Sequence, residues 1–181
     1  QTNIVTLMLI ISVISFGKYS NPKIKEMIAK AIGIILILRL ISSHIYMIHI
    51  GTWSAQSSLP LHLCGLSSIL SGIVIFWRNQ LAYEFLYYWG IPGALHSLLT
   101  PEFTIGNDSF LFIEYYISHG GILLSAVYLS LILDMKPRLG SWWKIFLLSQ
   151  LLLPIIGFIN WTLNSNYMYL CVKPIANNPL L

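Results

Sequence analysis

The chain has 181 residues, of which 56% are hydrophobic and 9% charged, with a formal net charge of +4. A soluble domain needs far more charge to cover its surface, so this composition excludes a soluble protein and indicates an integral membrane protein. The basic residues fall in short segments between apolar runs, which is typical of topology determinants and excludes a nucleic-acid partner.

Six apolar runs predict six helices in one all-α, polytopic membrane helix bundle. They cover residues 4–16, 27–50, 61–77, 81–99, 110–133 and 141–163. Pro92, inside the fourth run, cannot donate a helical hydrogen bond, so we expect a kink there. The first run is shorter than the roughly 20 residues of a full span. We therefore expect residues 1–181 to form a single transmembrane domain that is truncated at both ends.

Lysine and arginine predict the orientation of the bundle. Eight of the ten lie in the turns at 18–30, 78–80 and 134–144, which alternate with turns that hold none. The positive-inside rule makes these three turns cytoplasmic. The sequence therefore predicts a multi-pass protein of the cell membrane, with membrane lipids as its partners and its oligomeric state left open.

The third run opens with polar side chains, in the segment Leu59-Pro-Leu-His-Leu-Cys64-Gly-Leu-Ser-Ser68. A thiolate attacks acyl carbonyls readily, and a helix start favours the charged sulfur. Ser68 and Ser71 follow Cys64 at helical spacing, so this face of the helix is small and polar. Cys64 is a candidate nucleophile. The alternatives are a buried small hydrophobic residue and a disulfide with Cys171.

Polar residues on the other helices lie at a similar level of the membrane. Counting about 1.5 Å per helical residue puts Cys64 roughly 5 Å and His119 roughly 14 Å below the outer surface. Ionisable groups inside a span usually face the bundle interior or a wet cavity. The sequence therefore predicts a polar chamber that opens outward. The residues that we expect to bind a substrate there are His44, His96, Asn160, Arg39 and Ser68.

Each of these residues also has a simpler interpretation. His119 could be bonded only to a backbone carbonyl or a hydroxyl. His44 and His96 could be interfacial residues with no role in a site. Arg39 lies deeper than a snorkelling side chain prefers and requires a carboxylate or a lipid phosphate as its partner.

The segment ending in Cys64 resembles that of the YwaF-like, TMEM164-type integral membrane proteins. Similar segments follow over most of the chain: Gly51-x-Trp53-Ser54, Tyr88-Trp89-Gly90, Leu99-Thr100-Pro101, His119-Gly120 and Asn166-Tyr167-x-x-Leu170-Cys171-x-Lys173-Pro174. The bacterial members are largely uncharacterised, whereas a vertebrate relative is a cysteine-dependent phospholipid acyltransferase. The resemblance implies that Cys64 is a nucleophile and His119 its catalytic histidine. It also implies a further C-terminal helix.

Four functions compete at this point. The first is a lipid acyltransferase or lipid-modifying enzyme that uses Cys64 and His119, for which we expect no cofactor. The second is a carrier, because Pro92 and Pro154 interrupt helices near mid-membrane. Metal or haem ligation is disfavoured because no two histidines are spaced i, i+3 or i, i+4, so no metal site is predicted. A structural membrane protein is the fourth.

Overall fold

The computed structural model describes residues 2–101 and 108–173, and its regular elements in this part of the chain are all helical. The helices are α1 (Thr2–Tyr19), α2 (Pro22–His49), α3 (Leu63–Trp77), α4 (Gln80–Phe85), α5 (Ile91–Leu99), α6 (Ser109–Leu131) and α7 (Ser141–Leu163). A π-helical turn, Leu86–Gly90, joins α4 to α5, and a 3-10 turn, Tyr167–Tyr169, follows α7.

The predicted all-α membrane bundle is confirmed. With α4, the π-helical turn and α5 counted as one helical segment, the six predicted helices correspond to six observed ones. Four of them, α1, α2, α6 and α7, are long and apolar enough to cross a membrane. Helix α3 is also apolar but has only 15 residues.

The ends of the first two helices differ from the prediction. Helix α1 continues to Tyr19 through residues that were predicted to form a polar turn. Gly17 is accommodated inside it because Tyr128 packs there, so that a Cβ atom would lie 2.7 Å from that ring. Helix α2 begins at Pro22, five residues earlier than predicted, because the Asn21 side chain accepts a hydrogen bond from the Ile24 amide.

Pro92 is the second residue of α5, which follows the π-helical turn, and this turn accommodates the predicted interruption. Proline lacks an amide hydrogen and its ring clashes with the preceding turn, and π-bulges relieve such clashes. Gly90 ends the π-helical turn where the segment approaches α6 closely, because a Cβ atom would lie 3.0 Å from Ile122. The irregular turn therefore brings α5 against α6.

Helix α6 is the centre of the bundle and packs against α1, α2, α3 and α5. The C-terminal half of α6 is buried among apolar side chains, and its own buried residues include Ile122, Ala126 and Leu129. At the end of the bundle that carries the basic turns, Tyr83 donates to the Met135 carbonyl at 2.7 Å. The Glu84 carboxylate accepts two hydrogen bonds from the Arg138 side chain there. This end is closed by packing, and the polar cavity lies at the other end.

Candidate functional site

The loop before α3 determines where Cys64 lies. His62 is the N-cap residue of α3, with extended backbone, and Cys64 is the second residue of the helix. Pro60 folds back onto the helix so closely that a Cβ atom on Gly65 would lie 2.9 Å from its backbone. Only glycine allows this approach. The segment 59–65 therefore makes a tight entry into α3, with the thiol at its first turn.

A polar cavity of about 290 Å³ lies between α2, the loop before α3, the start of α3 and the first half of α6. It contains both residues that the resemblance marked as catalytic, although 55 positions separate them in the sequence. Its ionisable side chains are those of Arg39, His44, His62, Cys64, Asp108, Glu114, Tyr115 and His119. The helices thus bring ionisable side chains together around one cavity, whose position in the bilayer stays a prediction.

Helix α5 contacts the Cys64 thiol. The Sγ atom lies 3.7 Å from the Ser97 hydroxyl, and a Cβ atom on Gly93 would be 3.8 Å from it. Gly93 and Ser97 are spaced i, i+4 and share one helix face. Sequence reasoning missed Ser97, although two small residues at this spacing indicate a face that another helix approaches closely.

The imidazole of His119 is held by its own helix. Nδ1 lies 2.8 Å from the Tyr115 carbonyl oxygen. Because a carbonyl oxygen only accepts, Nδ1 carries the hydrogen, and Nε2 of the neutral ring is left as the basic nitrogen. The Tyr115 and His119 rings also pack together, with centroids 4.2 Å apart. The structure thus shows the simpler interpretation, a histidine bonded to a backbone carbonyl, at Nδ1.

Arg39 finds the carboxylate partner that its depth requires. Its guanidinium forms an ion pair with Glu114 on α6 and donates to Ser68 on α3 at 2.9 Å. Both members of the pair are largely buried, with side-chain exposures of 11% and 16%. Among the described residues, Arg39 Nε is buried without an acceptor. One guanidinium thus ties three helices together at the wall of the cavity.

Two further contacts organise the mouth of the cavity. Trp53 Nε1 donates to His44 Nδ1 at 2.9 Å, so the proton of a neutral His44 ring is on Nε2. The Tyr46 hydroxyl donates to Asp108 at 2.6 Å. This hydrogen bond, together with one from the Leu111 amide, lowers the pKa of Asp108 and keeps it ionised as the N-cap of α6. These bonds connect α2 to the loop before α3 and to α6.

The segment after α7 holds the loop that leads to Cys64. The Asn160 amide bonds to the backbone of Tyr167, donating to its carbonyl and accepting from its amide. The Tyr167 hydroxyl donates to the Ala55 carbonyl at 2.8 Å and accepts from the Leu59 amide at 3.0 Å. Burial raises the pKa of Tyr167, so its hydroxyl remains a donor. This segment after α7, the tail, therefore holds the loop before α3 in place through hydrogen bonds made outside the cavity.

The structure brings together some of the predicted site residues and separates others. Arg39, His44, Cys64 and His119 line one cavity, and Ser68 lies behind it as a partner of Arg39. His96 and Asn160 are not among its lining residues. Asn160 is buried, and its amide is engaged with the tail. Counting residues gives the level of a side chain in the membrane but not the direction in which it points.

The two cysteines are not bonded to each other. Cys64 and Cys171 are both free thiols, the first half-buried and the second exposed. Within residues 2–101 and 108–173, no group of three or more His, Cys, Asp or Glu side chains is arranged to hold a metal ion. The arrangement that remains is a thiol and a basic imidazole nitrogen in one cavity, with a buried arginine in its wall.

Comparison with known proteins gives one match. A family model described as the TMEM164 family matches residues 2–181, the whole chain except its first residue. No curated protein and no solved structure matches the chain.

Proposed function

The chain belongs to the TMEM164 family, and from that premise we propose that it is a lipid acyltransferase with Cys64 as nucleophile and His119 as general base. The single observation that carries this proposal is that both residues line the same cavity. A thiol needs a base and an acyl carbonyl within reach, and membrane-embedded sites take such carbonyls from lipids. The donor is therefore a phospholipid of the surrounding bilayer.

The first half-reaction forms a thioester on Cys64. Nε2 of His119 takes the thiol proton, and the sulfur attacks the ester carbonyl carbon of the donor phospholipid. The C–O bond to the lysophospholipid breaks, and its departing oxygen takes the proton back from His119. The products are an acyl-cysteine and a lysophospholipid.

The second half-reaction passes the acyl group to an acceptor. The free hydroxyl of another lysophospholipid gives its proton to His119 and attacks the thioester carbonyl. The C–S bond breaks, and the proton returns to the Cys64 sulfur. His119 suits both steps because the Tyr115 carbonyl holds its Nδ1–H and leaves Nε2 to exchange the proton.

The contacts of the thiol fit a resting enzyme. Cys64 contacts the Ser97 hydroxyl, and its described hydrogen bonds do not include one to His119. Catalytic hydrogen bonds are often long in the absence of substrate and shorten when the site is filled. The Arg39 guanidinium of the same cavity is paired with the Glu114 carboxylate, so the two residues add no net charge beside the thiol.

Covalent labelling tests this function. The protein is reconstituted in vesicles of a phospholipid with an alkyne-tagged acyl chain, and acyl-protein is measured after attachment of a fluorophore. We expect labelling of the wild type and of Cys171→Ala, and none of Cys64→Ala. Cys171 is the matched control because it is the other free thiol and lies outside the cavity. His119→Ala should label about a hundredfold more slowly, the usual effect of losing a general base.

Lipid analysis completes the test. Expression of the wild type should change the distribution of acyl chains among cellular phospholipids, and Cys64→Ser should abolish that change. Equal labelling of the wild type and Cys64→Ala, or a change in the lipids that persists in Cys64→Ser, would contradict acyl transfer. The cavity would then be better explained by the carrier function.

A further inference from the structure

An apolar groove lies beside the polar cavity. It runs between α2 and α6, encloses about 500 Å³, and opens on the face of two helices that are long and apolar enough to cross a membrane. Most of its lining is aliphatic or aromatic, with Leu38, Ile41, Ile45, Phe110, Ile113 and Ile117 among the residues. Several of these side chains are half exposed, for example Ile41 at 50% and Ile113 at 58%.

The groove and the polar cavity share two charged residues. Arg39 and Glu114 line both, and they form an ion pair with each other. The ion pair thus separates two spaces. On one side lies the apolar groove, and on the other lies the cavity with the Cys64 and His119 side chains. Two other apolar grooves, beside α1 and beside α7, share no charged residue with the cavity.

We propose that the α2–α6 groove binds the acyl chain of the phospholipid whose ester reacts at Cys64, and that the lipid enters sideways from the bilayer past the Arg39–Glu114 pair. This proposal rests on the proposed acyltransferase function. A phospholipid has an apolar chain joined to a polar ester and headgroup. The groove offers apolar surface to the chain, and the cavity beside it offers polar groups to the ester and headgroup.

The ion pair is suited to open for an anionic lipid. Arg39 keeps its hydrogen bond to Ser68 when it leaves Glu114, and its Nε has no acceptor among the described residues. A guanidinium binds phosphate through two parallel hydrogen bonds as readily as it binds carboxylate. Arg39 can therefore exchange the Glu114 carboxylate for the lipid phosphate and remain paired, while Glu114 takes up a proton or water from the polar cavity that it lines. The same exchange would join the groove to the cavity.

Filling the groove tests the chain site. Ile41→Trp places a large side chain in the groove, whereas Ile155→Trp is the matched control on the exposed face of α7, where Ile155 is 56% exposed. Acylation of Cys64 from a long-chain phospholipid should slow about tenfold in Ile41→Trp, the effect of losing contact with two methylene groups. Acylation by p-nitrophenyl acetate, which has no chain to bind, should stay within about twofold of the wild type in both variants.

Photocrosslinking tests chain binding without any chemistry at Cys64. A phospholipid with a diazirine in its acyl chain should crosslink mainly to peptides of α2 and α6, and it should do so equally in Cys64→Ala. Crosslinks spread evenly over the exposed faces of the bundle would overturn the chain site, as would equal long-chain acylation of Ile41→Trp and Ile155→Trp. If the wild-type protein crosslinks in the groove but never forms acyl-cysteine, the acyltransferase function is refuted and the groove remains a lipid site.

Discussion

Tyr115 donates a hydrogen bond from its hydroxyl to the backbone carbonyl of Ser97, at 2.7 Å. The same tyrosine accepts the Nδ1–H of His119 at its carbonyl, while the Ser97 hydroxyl contacts the Cys64 sulfur. One residue therefore connects the helix of His119 to the helix that touches Cys64. The relative position of thiol and imidazole depends on this connection between α5 and α6.

Tyr115→Phe should slow acyl transfer without unfolding the protein. The change removes one interhelical hydrogen bond, about 1 kcal/mol of stability, but it also frees α5 to shift against α6. We expect the rate of Cys64 acylation to fall on the order of tenfold, because small displacements at a reaction centre are costly.

Tyr88→Phe is the control for Tyr115→Phe. Its hydroxyl also bridges two helical segments, bonding to Ser141 at 3.2 Å, but near the start of α7 and away from the cavity. It should lose similar stability and keep the wild-type acylation rate. Equal slowing in the two variants would show that Tyr115 acts only through general stability.

Tyr167→Phe should loosen the loop before Cys64. The side chain is buried, and its hydroxyl makes two hydrogen bonds to the loop, one of them from the Leu59 amide. Losing both costs about 2 kcal/mol locally, which corresponds to roughly thirtyfold faster hydrogen exchange at the Leu59 amide. Tyr128→Phe, which removes a buried tyrosine hydroxyl that bonds to the Lys25 carbonyl, should leave that exchange rate unchanged. Unchanged exchange in Tyr167→Phe would contradict a fastening role of the tail.

Arg138→Ala should destabilise the end of the bundle that carries the basic turns. Glu84 is completely buried, and the Arg138 side chain donates to both of its oxygens, at 2.8 and 2.7 Å. The carboxylate also holds the pKa of Arg138 above its usual value. Without this partner a buried charge loses most of its compensation, and the midpoint of thermal unfolding in detergent should fall by several degrees.

Lys136→Ala is the matched control for Arg138→Ala. Lys136 pairs with Asp134 in the same turn, but both side chains are mostly exposed. Exposed ion pairs add little stability, so the unfolding midpoint should stay within about 1 °C of the wild type. Equal shifts in the two variants would mean that Glu84 does not depend on Arg138.

The basic turns predict the orientation of the bundle in the membrane. Reporter domains inserted between α1 and α2, at 20–21, and between α6 and α7, at 134–140, should report a cytoplasmic location, and a reporter at 52–58 should report the outside. The cavity would then face the outer half of the bilayer. The opposite result at all three positions would invert the bundle and place the cavity at the cytoplasmic side.

The helices could be predicted well from the sequence because an apolar run is recognised directly from its residue types. Pro92 marked the irregular fourth helix for the same reason, since its missing amide hydrogen is a property of the residue itself. The end of α1 was harder to predict. Helix α1 continues to Tyr19 because Tyr128, more than a hundred residues away, packs on Gly17, and no local pattern reveals such a contact.

The site was only partly predictable. Depth along each helix grouped Cys64 with His119, which line one cavity, but it also included His96 and Asn160, which do not line it. Residue counting ignores rotation about the helix axis, and that rotation decides which side chains meet. It also misses backbone partners. The Tyr115 carbonyl that orients His119 could not be identified before the fold was known.

The fastening of the 52–62 loop by Tyr167 has a consequence for biogenesis. The residues that join Tyr167 to the loop are more than a hundred positions apart, and the tyrosine follows the last helix of the described bundle. A chain still emerging from the ribosome can insert its helices and bury its core before this tyrosine is synthesised. The wall of the cavity around Cys64 is therefore completed only after the rest of the bundle has been synthesised.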